Sequence, residues 1–180
     1  DLIDEQGHFD ADMADVMRGL GEQPFTITST ELKVAVTSSS LRSDFFQCVS
    51  NSKWAHNAQL AIATEVTDQV LSDELKRLGA SYGVTIVSFG LNASALDALP
   101  AAGELLEMSD TEVDDRLAKI SLKTIASGQA REILDWDHIR DLQRQTDELR
   151  DIFAWIARCL SDNQAHGFEL WKCNLRSVKK

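Results

Sequence analysis

The chain has 180 residues, enough for one domain with a substantial core, and its 43% hydrophobic and 26% charged content are ordinary for a globular protein. Its net charge of -11 argues against a surface that grips a nucleic-acid backbone by phosphate neutralisation. No apolar run reaches the roughly 18 residues needed to span a membrane, and acidic Asp1, Asp4 and Glu5 stand where a secretory leader would be basic.

Cys48, Cys159 and Cys173 are an odd number at no metal-ligand spacing, so reduced thiols and a cytoplasmic location are expected. Local basic patches remain available around Arg42, Lys53, Lys76 and Arg77, and at Lys172, Arg176, Lys179 and Lys180. The chain begins with Asp1, not Met, so its true start is expected to be missing.

In chain order, Met13, Val16, Met17 and Leu20 have helical spacing within residues 10–20, with Gly21 as a stop. "FTITSTELKVAV" (25–36) reads as one long strand or two short ones, rich in Thr, Val and Ile. Its odd positions Glu31, Lys33 and Ala35 share one face. Leu32, Val34 and Val36 make the other, which is expected to pack on the core. Ser38–Ser40 can cap a helix running from Leu41 to about Trp54, with Leu41, Phe45, Cys48 and Val49 as its apolar stripe.

"QLAIATEV" (59–66) reads as a buried strand. Asp68 can cap a helix through Leu78 that turns Val70, Leu71, Leu75 and Leu78 inward and ends near Gly79 and Gly83. "VTIVSFGL" (84–91) is a further buried strand. The alternation predicts an α/β core with parallel neighbouring strands. Residues 92–130 read as an insertion or lid on the sheet edge, with a weak helical pattern at 109–119 that Ser109 or Asp110 can cap. Residues 131–180 supply C-terminal helices, one opened by Asp135 and running to about Gln145. The next, at 146–160, is amphipathic, with Leu149, Ile152, Phe153, Ile156 and Leu160 inward. These helices either close the core or form a homodimer.

The chemistry centres on Glu31-Leu32-Lys33. A carboxylate and a lysine two residues apart on a strand face the same way. That suits phosphodiester hydrolysis, in which the carboxylate binds Mg²⁺ and the ammonium orients water or offsets negative charge. An exposed strand ion pair has the same signature. A metal centre also needs a second acid, for which Asp1, Asp4, Glu5, Asp10, Asp12 and Asp15 lie upstream. On the following helix Gln47, Asn51 and Trp54 form a polar stripe that either supports such a site or faces water. His56 falls near that helix's end, where a cation suits the helix dipole. His8, His138 and His166 have no partner at zinc spacing, and calcium-loop, dinucleotide and P-loop patterns are absent.

The strand "ELK", the helix "FFQCVSNSKWA" (45–55) and the segment "ILDWDHIRDLQRQTDELRDIF" (133–153) together resemble the HrgA-like bacterial proteins. Members of that family are often encoded near restriction-modification genes. They carry a C-terminal PD-(D/E)XK nuclease-like domain, often behind an N-terminal winged-helix region. The resemblance touches most of residues 25–155. It implies a restriction-endonuclease-like core, a mixed central sheet flanked by helices, over residues 1–91, with a C-terminal helical extension. It also implies Glu31 as metal ligand and Lys33 as catalytic lysine, on a Mg²⁺ or Mn²⁺ ion and a DNA substrate, with Gln47 of the polar stripe as support from the neighbouring helix. "DLI" at the start resembles the remnant of the family's first acidic motif, which makes Asp1 the second metal ligand. The missing winged-helix region is then expected to carry the DNA-binding charge.

Overall fold

The structure, a computed structural model, describes residues 25–101, 107–118 and 120–162, together with 16, 19, 20, 104, 166 and 167. The helix expected over 10–20, the upstream acids from Asp1 to Asp15 and the basic tail from Lys172 lie wholly or largely outside the described residues. Residues Ile27–Leu134 form one compact unit, and the two helices after Asp135 belong to a second.

The first unit runs β1 (Thr28–Lys33), α1 (Leu41–Asn51), β2 (Asn57–Thr64), α2 (Gln69–Tyr82), β3 (Val84–Leu91), α3 (Ala93–Asp97), α4 (Asp110–Leu117) and β4 (Lys123–Ala126). The sheet order is β1-β2-β3-β4, with the first three strands parallel and β4 antiparallel to β3. This is an α/β fold with a mixed open sheet, and the parallel neighbours match the expectation from sequence. The region 92–130 contributes the edge strand β4, which its weak pattern did not announce: Lys123 and Thr124 are exposed, and only Ile125 and Ala126 are buried.

The crossovers β1-α1-β2 and β2-α2-β3 run in the same direction along the sheet, and α1 and α2 pack on one face of it. That face holds the core: Leu41, Phe45 and Cys48 from α1 and Leu71, Leu75 and Leu78 from α2 pack on Leu60, Ile62, Val84 and Ile86. The α2 stripe falls at i, i+4 and i+7, which leaves Val70 about a quarter-turn away and 78% exposed, contrary to its expected inward position. Asp68 caps α2 by accepting from the amides of Val70 and Leu71, and Gly83 closes it at φ 69° in the left-handed region. Where the β2–β3 register shifts after Ile62, the buried Ser88 hydroxyl donates to the Thr64 carbonyl at 2.9 Å, so the broken ladder leaves no orphaned acceptor there.

Ser109 and Glu112 form the reciprocal capping box of α4. Ser40 behaves differently. It occupies the N-cap position of α1, but its hydroxyl accepts from the Thr37 amide at 3.1 Å and bonds to no helical amide. The expected serine cap is a turn lock instead.

In the second unit Asp135 caps α5 (Trp136–Gln145) through the His138 amide, and α6 spans Asp147–Asp162. Leu149 is buried and Ile152, Phe153 and Ile156 are half-buried, whereas Leu160 is 40% exposed. The His166 carbonyl accepts from the Trp155 indole and its amide donates to the Cys159 sulfur.

At Gly79, on the inner side of α2, an added Cβ would sit 2.6 Å from the Ala126 Cβ and 2.9 Å from the Val84 carbonyl oxygen. Gly79→Ala is therefore expected to destabilise the protein by about 1–3 kcal/mol through overpacking, read as a lower midpoint in urea unfolding.

Candidate functional site

The register pairs Glu31 with Leu60 and Lys33 with Ile62, and both partners are fully buried. Side chains paired across neighbouring strands point the same way, so Glu31 and Lys33 face the helix-covered side of the sheet. Leu32 and Val34 are 71% and 66% exposed on the other side. The expected apolar core face of this strand is thus overturned, with Val36 alone of the three reaching the core. The reason lies in α1. Its face over β1 carries Asp44, Gln47 and Asn51 at i, i+3 and i+7, a polar stripe that gives charged strand residues hydrogen-bonding partners.

The resulting contacts are specific. Lys33 Nζ donates to Gln47 Oε1 at 2.9 Å and pairs with Glu31 Oε1 at 3.1 Å and Asp44 Oδ1 at 3.5 Å. Asn51 Nδ2 donates to the other Glu31 oxygen, Oε2, at 3.1 Å. The Glu31, Lys33 and Asp44 side chains retain only 17–21% of their exposure. The hydrogen bond with Glu31, joined by the charges of Glu31 and Asp44, raises the Lys33 ammonium above the usual lysine range and outweighs its partial desolvation. Burial pushes the Cys48 thiol up to about 11, which disfavours the thiolate, and Cys48 packs in the core.

The structure brings together Glu31, Lys33 and Gln47 of the expected residues. Asn51 joins them, while Trp54 falls in the turn after α1 and off the stripe. Asp1, the expected second ligand, lies outside the described residues. Asp44 is the residue that sequence reasoning missed. Its signal was its position three before Gln47 on the same stripe.

Carboxylate and amide oxygens from Glu31, Asp44 and Gln47 converge on one point, held here by the Lys33 ammonium, and the Glu31 carboxylate among them is the hard oxygen donor that a divalent cation takes. Among the described residues no group of three or more His, Cys, Asp or Glu side chains is gathered for a metal. The cluster lies toward the carboxyl ends of the parallel strands, the end at which open α/β sheets generally bind ligands.

The opposite end of the sheet holds a cleft of about 280 Å³ lined by His56, Tyr82, Gly83, Gln129 and Arg131 among others. His56 is no helix cap. It is 3% exposed, five residues past the end of α1, and its Nδ1 accepts from the Ile27 amide at 3.0 Å. Burial lowers its pKa. Arg131 fixes the same turn, its guanidinium donating to the carbonyls of Ser52 and Ala55 and its amide to that of His56.

No family model, curated protein or solved structure matches the chain. Among the described residues no helix is long and apolar enough to cross a membrane.

A histidine whose folded pKa lies below its unfolded value contributes stability in full above about pH 6.5, and that stability drains away as pH falls toward the folded pKa. The stability of the native chain is expected to decline through that window. In His56→Asn, which keeps a side-chain acceptor for Ile27, the decline should be shallower, as urea melts at pH 7.5 and 5.5 would record.

Proposed function

We propose that Glu31, Lys33 and Gln47 form the catalytic edge of a Mg²⁺-dependent DNA endonuclease with a restriction-endonuclease-like core, acting in restriction or defence against foreign DNA. The observation that carries this reading is the convergence of Glu31 and Lys33 with a supporting glutamine from α1, at the carboxyl edge of the sheet. A plain surface pair would instead point into open solvent.

In this reading Glu31 holds the ion, with Asp1 as the second carboxylate that the resemblance implies. Mg²⁺, or Mn²⁺ in its place, would supply Lewis acidity to the phosphoryl oxygens and acidify a bound water. Asn51 fixes the Glu31 carboxylate by holding Oε2, and Oε1, paired here with Lys33, is the oxygen it would present. Gln47 accepts from Lys33 and holds the ammonium at the site, where it orients the attacking water and offsets charge in the transition state. DNA as the substrate rests on the resemblance, and the winged-helix region that accompanies such domains would supply the basic surface that a net charge of -11 disfavours here.

A second reading treats the chain as a PD-(D/E)XK-like module for binding or assembly, without catalysis. It is favoured by the closure of the network, since the Lys33 ammonium already has three oxygen partners.

Cleavage of supercoiled and linear DNA in Mg²⁺ or Mn²⁺ separates the two. Wild type should cut, and Glu31→Ala and Lys33→Ala should each lose roughly 10²-fold or more. A wild type as inert as both variants on every DNA tested would leave the assembly reading in place.

A further inference from the structure

The ammonium of Lys33 faces two carboxylates, one on its own strand and one on α1, so the cluster carries a surplus negative charge. Glu31 Oε2 is committed to Asn51, and Oε1 to Lys33. If Glu31 is to give Oε1 to a divalent cation, as the nuclease reading requires, Lys33 must release that oxygen, because two cations on one carboxylate oxygen repel each other. Gln47 would keep a hydrogen bond to the displaced ammonium but carries no charge.

Asp44 does. It stands in the first turn of α1, where an aspartate ordinarily serves the helix dipole in solvent. Here its carboxylate leans across to β1, is 17% exposed, and lies 3.5 Å from Lys33, the longest of the three contacts to the ammonium. That placement is of a partner in reserve.

We propose that Asp44 is a positioning residue that takes over the Lys33 ammonium when Glu31 releases it to a divalent cation, so that metal and lysine occupy the site together. Without Asp44, Lys33 has Glu31 as its one anionic partner in the cluster and competes with the cation for it. The inference rests on the proposed nuclease reading of the same site.

The test is Mn²⁺ binding to the 180-residue chain, followed by electron paramagnetic resonance of free Mn²⁺, in wild type, Asp44→Asn, Lys33→Met and the double variant. Asp44→Ser provides a second substitution should Asn perturb the helix. Asp44→Asn should weaken Mn²⁺ binding by about 10-fold in the presence of Lys33. In the Lys33→Met background, where no ammonium needs a host, the same change should cost no more than about 3-fold, the residue of long-range charge.

Equal weakening in both backgrounds would make Asp44 a ligand in its own right and overturn the proposal, as would no weakening in either. Glu31→Gln serves as the control on the underlying reading. If it binds Mn²⁺ as wild type does, the metal-dependent reading falls and takes the proposal with it. If it loses binding while Asp44→Asn does not, the positioning role alone falls.

Discussion

Two crossover helices on one face of a parallel sheet leave β1 little choice. Leu60, Ile62 and Ile86 must be covered, and α1 and α2 cover them. The register then carries Glu31 and Lys33 into the same row as Leu60 and Ile62, under a helix and not in water. Charged groups so placed are costly unless they find partners. The partners exist because α1 turns two faces downward at once: Leu41, Phe45 and Cys48 toward the core, and Asp44, Gln47 and Asn51 toward the sheet edge. The candidate site is the seam between those two stripes.

The electrostatics of that seam differ from those of the remaining surface. Arg140, Arg144 and Arg150 each pair with an aspartate three residues earlier on α5 or α6, on exposed side chains where such pairs add little to stability. The Lys33–Asp44 pair joins a strand to a helix, is mostly shielded from solvent, and is embedded in a network with two amides. Its geometry is set by two rigid elements and not by one flexible side chain reaching another, which is the condition for holding reacting groups in place.

Much of this was legible in the sequence. The strand-helix alternation, the Asp68 and Ser109 caps and the apolar α1 stripe follow from periodicity and local chemistry, whereas periodicity leaves open whether Gln47 and Asn51 turn to the E-x-K pair or to water. Other features did not. At β1, hydrophobicity alone assigns Leu32 and Val34 inward, whereas the polar stripe of the neighbouring helix decides the matter. β4 escaped notice because a short antiparallel edge strand needs only Ile125 and Ala126 buried, too few to make a pattern. Asp44 lies at the end of the stripe away from Trp54, and α1 stops at Asn51. A helix reaching Trp54 places His56 at a terminus, whereas it is a buried acceptor for Ile27.

The inverted face of β1 has a further consequence for how copies of this chain meet. Among the described residues β1 is an edge strand, and its outward Leu32 and Val34 would make it adhesive if its other face were also apolar. Inward-pointing charge is a known guard on such edges. A strand from a second copy added to that edge would cover the Glu31 and Lys33 side chains, which keep 17% and 21% exposure, and cost them their remaining hydration. The same two residues that suggest chemistry would therefore also disfavour strand addition at the β1 edge.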